Sequence, residues 1–103
     1  MALGANPLDE AVRRADTIPF PLQAERYGSV KLKRLIATCY HLQRLQGQSH
    51  FFLGVRDAAK IMDTTNLHKV NAMLHGLVRD GLLIEVEKGT TKRATRYRFK
   101  LAM

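Results

Sequence analysis

The hydrophobic period of this chain changes once along its length, and that change dictates an α+β fold. Between residues 29 and 80 apolar side chains recur at helical spacing; between residues 83 and 101 they alternate. Leu32, Leu35, Ile36, Cys39 and Leu42 form one stripe, which predicts a helix over 29–46 that Gly47 ends. Lys31, Lys33, Arg34, His41 and Arg44 lie away from that stripe. Phe51-Phe52-Leu53 follows a turn and reads as a short strand. Val55, Ala58, Ala59, Ile61 and Met62 predict a second helix over 55–62, with Asp57 in the first turn where the helix dipole favours an acid.

Asp63-Thr64-Thr65-Asn66 is a polar break rich in caps. A third helix is expected over 67–80, with Thr65 or Asn66 as N-cap and Gly81 as a left-handed C-cap. Leu83-Ile84-Glu85-Val86-Glu87 and the stretch 96–101 then alternate around a Gly- and Thr-rich tip, which predicts a β-hairpin. Phe51–Leu53 pairs with it to complete a three-stranded sheet. Upstream, residues 1–28 read as an N-terminal arm to a domain spanning 29–103, one that packs on the domain or on a second copy, or is a linker segment. Asn6, Pro7 and Asp9 signal a helix start, and Leu8, Ala11, Val12 and Ala15 predict a short helix over 7–15. Pro19 and Pro21 break it.

Charge narrows the partners. Seventeen Lys and Arg against nine Asp and Glu give a net charge of +8, which favours a polyanion: nucleic acid or an acidic membrane surface. No run approaches the ~18 apolar residues of a membrane span, and the first residues lack the basic and apolar regions of a secretion signal. The expectation is therefore a cytoplasmic, nucleoid-associated protein with no membrane partner. The single cysteine, Cys39, forms no internal disulfide and falls on a helix core face.

This order of elements resembles the winged helix-turn-helix superfamily of DNA-binding domains: three helices plus a small antiparallel sheet with a β-hairpin wing. The residues that carry the resemblance are Phe51–Leu53, Val55–Met62, Thr64–Gly81 and Leu82–Leu101, and the resemblance as a whole extends over about the last three quarters of the chain. The run Leu77-Val78-Arg79-Asp80-Gly81-Leu82-Leu83-Ile84 is its most specific part. Phe51-Phe52-Leu53, Arg56-Asp57-Ala58-Ala59 and Lys88-Gly89-Thr90 are also similar to winged-helix domains of bacterial and phage replication proteins, such as primase or helicase partners. The resemblance implies double-stranded DNA binding in transcription regulation or replication. Its runner-up is a docking module within such an assembly.

On a helical wheel, Leu67, Val70, Leu74, Leu77 and Val78 oppose His68, Ala72, His75 and Arg79, with Lys69, Asn71 and Gly76 flanking the polar side. A major groove admits one helix, Asn pairs with adenine, Lys or Arg with guanine, and Ala meets a thymine methyl. Asn66, His68, Lys69, Asn71 and Ala72 are therefore the candidate base or phosphate contacts, with Thr65 and His75 beside them and Arg79 outside the groove. Beyond Glu87 come Lys88, Lys92, Arg93, Arg96, Arg98 and Lys100, with no acid among them. Alternation turns Arg96, Arg98 and Lys100 one way and Tyr97, Phe99 and Leu101 the other. This basic row, with Lys88, Thr91 and the Lys92-Arg93 tip, is the expected phosphate contact. Its alternative is an edge strand charged against aggregation. With Tyr97 and Phe99 inward, few aromatics are left to stack unpaired bases, so RNA or single-stranded DNA ranks below duplex DNA. A two-fold site would call for a homodimer, formed by the first helix or the arm.

No cofactor, metal or catalysis is expected. His68 and His75 are seven apart, about 10 Å along a helix, which is too far for shared ligation. There is no Gly-rich phosphate loop and no Ser or Cys with a matched base, so the chain reads as a non-enzyme.

Overall fold

A computed structural model describes residues 7–90 and 94–100. Within them the protein is α+β, with elements in the order α1 (Pro7–Thr17), a 3-10 turn (Leu22–Ala24), α2 (Val30–Gln46), β1 (Phe51–Leu53), α3 (Val55–Ile61), α4 (Leu67–Arg79), β2 (Leu83–Glu87) and β3 (Thr95–Phe99). No helix among the described residues is long and apolar enough to cross a membrane.

Local chemistry sets the helix ends. The Ser29 hydroxyl accepts a hydrogen bond from the Leu32 amide (3.3 Å) and starts α2. Asn66 caps α4, its Oδ1 accepting from the Lys69 amide at 3.1 Å. Asp63 turns α3 toward α4 in the left-handed region (φ 53°); there the Thr64 amide donates to the Ala59 carbonyl and the Asp63 amide to the Lys60 carbonyl. Gly81 (φ 83°) closes α4 in the same way: the Leu82 amide donates to the Leu77 carbonyl and the Gly81 amide to the Val78 carbonyl, both at 3.0 Å. Both ends follow the Schellman pattern, and Leu82 then packs into the core with Leu77. Helix α1 runs two residues beyond the expected 15 and stops before Pro19, where the pre-proline residue leaves helical geometry.

The strands are ordered β1-β3-β2, all antiparallel. Phe51 faces Tyr97 across β1–β3, and Leu83 faces Phe99 across β2–β3. A bulge at Val86 shifts the register, so that Glu87 faces Arg96. Phe51, Leu53, Leu83, Tyr97 and Phe99 point into the core, where they meet Leu35, Ile36, Cys39 and Leu42 of α2 and Val70, Leu74 and Leu77 of α4. Burial pushes the Cys39 thiol up to about 12, so it stays protonated at neutral pH.

The segment read as an arm joins this core: Ala11 and Ala24 are fully buried within it. Arg34 of α2 holds α1 in place. It donates to both Asp16 oxygens (2.8 and 2.9 Å) and to the Ile61 carbonyl (2.6 Å), tying α1, α2 and α3 together. Buried Gln43 performs the same service at the other end of α2. Its Nε2 donates to the carbonyls of Gly47 and Ser49, and its Oε1 accepts from the Phe99 amide.

His41, placed by periodicity away from the core stripe, is instead buried at 5% exposure. The cause is tertiary: α1 covers that side of α2, which a wheel drawn for α2 alone does not show. Burial, then the charges of Arg14 and Arg44, hold its pKa below the usual histidine value. The unfolded chain therefore binds a proton at His41 that the folded chain resists. The stability this group contributes is complete above about pH 6.5 and is lost as pH falls toward its depressed native value. The expected result is a thermal midpoint that drops between about pH 7.5 and pH 5.5, with a smaller drop in His41→Leu. The same drop in the variant would contradict this.

Candidate nucleic-acid interface

Helix α4 has the two faces its sequence calls for. Val70, Leu74 and Leu77 are buried, while His68, Lys69, Asn71, Ala72, His75 and Arg79 are exposed. Thr65 and Asn66 are exposed just before it. The Asn66 carboxamide oxygen is engaged as the cap, so its side-chain nitrogen is the group turned to other work. The exposed face holds small and polar groups along three turns, free of ion pairs among the described residues, and suits close approach to a polar surface.

A groove of about 820 Å³ lies beside this helix. One wall is α3, with Arg56, Asp57 and Lys60; the floor includes Asn71 and Leu74 of α4; the other wall is the hairpin, with Gly89, Thr90, Ala94, Thr95 and Tyr97. Gly54 and Gly89 narrow no part of it with a side chain. Arg56 and Lys60 are four residues apart, one turn of α3, so both reach the same channel. Asp57 lines the same groove and offsets part of their charge, in a first-turn position that the helix dipole favours. Lys88 is exposed next to Gly89. The channel thus presents cations from α3, a hydroxyl and backbone from the hairpin, and the Asn71 carboxamide from α4.

The sequence-predicted residues therefore divide into groups. His68, Lys69, Asn71, Ala72 and His75 share the α4 face, and Asn71 also reaches the groove. Thr91, Lys92 and Arg93 lie outside the described residues. Arg96 and Arg98 are on the far side of the sheet from the groove: Thr95 and Tyr97 line it, and alternation turns Arg96 and Arg98 to the opposite face. Arg96 is also not a free cation. Its guanidinium lies 4.8 Å over the Phe52 ring, and its Nε is 3.3 Å from Glu87 Oε1, close enough for an ion pair although not aligned as a hydrogen bond. Arg96 and Arg98 thus face outward, on a surface separate from the groove.

Arg56 and Lys60 join the site only through the tertiary fold. Their i, i+4 spacing on a predicted helix was visible, but which face of that helix borders the hairpin is a tertiary fact. Among the described residues no three His, Cys, Asp or Glu side chains come together as a metal site. Compared with known proteins, the chain matches no family model, no curated protein and no solved structure.

Proposed function

We propose that this chain is a winged-helix module that binds double-stranded DNA, in transcription regulation or replication. The observation that carries the reading is the exposed polar face of α4 lying directly beside a groove with two cations on its α3 wall. In this reading α4 enters the major groove. Asn71 pairs with an adenine edge, Lys69 reaches a guanine or a phosphate, and Ala72 meets a thymine methyl. One sugar–phosphate strand follows the channel between α3 and the hairpin. Arg56 and Lys60 neutralise it from one side, and Lys88 and Thr90 contact it from the other. The net charge of +8 supplies the long-range attraction that brings the duplex in.

Selection of preferred sites from random duplexes tests the base-reading half of this account. Asn71→Ala is expected to relax preference at one position by about 1–3 kcal/mol while leaving others intact. Unchanged selectivity in the variant would remove Asn71 from the readout.

A further inference from the structure

The outer face of the sheet carries a second arrangement of cations and apolar groups that the duplex-binding groove does not use. Arg96 and Arg98 lie along the central strand β3. On the β1 flank is Phe52, 50% exposed; on the β2 flank are Ile84 and Val86, 53% and 45% exposed. Ile84 faces Arg98 and Phe52 faces Arg96 across the strands. Arg98 makes no hydrogen bond or ion pair among the described residues, whereas Arg96 is shared with Phe52 and Glu87.

We propose that this face binds an unpaired nucleic-acid strand. The backbone follows the central row, with Arg98 as its main phosphate anchor. Bases turn to either side, one onto the Phe52–Arg96 stack and others against Ile84 and Val86. A cationic track flanked by apolar surface is what an unstacked strand requires, since its phosphates and its bare base faces must be met together. A duplex has no such demand, because its bases already stack on one another. A protein partner is the poorer fit: interface cores place apolar groups at the centre with the polar rim outside, and here the order is reversed. A second copy would also set two Arg98 side chains close together in a molecule already at +8. The site is independent of the groove, so the protein would hold duplex on α4 and an unpaired strand on the sheet, as at a junction between the two.

The test is fluorescence anisotropy of a labelled oligo-dT of about fifteen nucleotides beside a duplex of random sequence, both at low salt. The expected result is oligo-dT binding that weakens at least about fivefold in Phe52→Ala, from lost stacking. Arg98→Glu weakens it as well, and Phe52→Tyr, which keeps the ring, retains it. Duplex affinity is unchanged in Phe52→Ala, and oligo-dT binding is retained in Arg56→Glu/Lys60→Glu, weakened only as far as the lower net charge weakens any polyanion. Four results would overturn the proposal: no oligo-dT binding by the native protein, binding indifferent to Phe52→Ala, binding lost with the groove variant, or self-association that Phe52→Ala abolishes. Oligo-dT binding without duplex binding would leave this inference standing and remove the duplex reading instead.

Discussion

Phe51→Ala is expected to cost about 3–5 kcal/mol of unfolding free energy. Phe51 is 1% exposed and is among the largest fully buried side chains of the protein. Its ring packs 6.2 Å from that of Tyr97, its cross-strand neighbour. Strand β1 has only three residues, of which Phe51 and Leu53 alone face the core. Truncation therefore opens a cavity and loosens the one strand that joins the sheet to the end of α2. Against a typical domain stability of about 5–15 kcal/mol, the loss takes a large share. Phe52, one residue on and half exposed, provides the internal control: Phe52→Ala should cost about 1 kcal/mol or less. Urea unfolding of both variants checks the pair, and similar costs for the two would mean that the burial pattern of β1 is misassigned.

The second large effect is on binding. Arg56→Glu with Lys60→Glu should lower affinity for a duplex by more than about a hundredfold near 0.1 M salt. The double change replaces two cations on the groove wall by two carboxylates beside Asp57, so the channel turns from attractive to repulsive. Loss of two phosphate contacts should also flatten the slope of log affinity against log salt by about 1.8. Both side chains are exposed, so the fold should survive, as a retained thermal transition would verify. Affinity within a few-fold of the native value, with an unaltered slope, would show that the strand does not pass between α3 and the hairpin.

Much of the fold was legible because the deciding interactions are local. Asn66 and Gly81 act within a turn of their own position, and both bound α4 where the sequence places such residues. The three-residue strand at Phe51–Leu53 announced itself by composition. What was not legible depended on contacts between distant segments. His41 is buried because α1 folds over α2, a contact fixed by the Arg34–Asp16 pair across 18 residues of sequence. Ala11 of α1 and Ala24 of the 3-10 turn enter the core as each packs against α2, one of the placements the sequence left open for the arm.

The candidate site divides along the same line. Periodicity separated the two faces of α4 correctly, since a helix sorts its own residues by angle. It also grouped Arg96 with Arg98, since a strand alternates. It also turned Tyr97 and Phe99 inward, as they are; what it did not supply is the groove between α3 and the hairpin, which depends on how the sheet packs against the helices. The outcome leaves Arg96 and Arg98 on a surface of their own and brings Arg56 and Lys60 to the groove. Phe52 was hidden for a related reason: in an aromatic pair on a strand, one ring must point outward, and only the pairing of Phe51 with Tyr97 tells which.

The central claim is most directly tested by fluorescence anisotropy of a labelled random duplex titrated with the native protein across a series of salt concentrations. The account predicts saturable binding at low salt that weakens linearly in log–log form, with a slope of several units as Arg56, Lys60, Lys88 and the α4 face displace counterions. No duplex binding at low salt, or binding indifferent to salt, would contradict it.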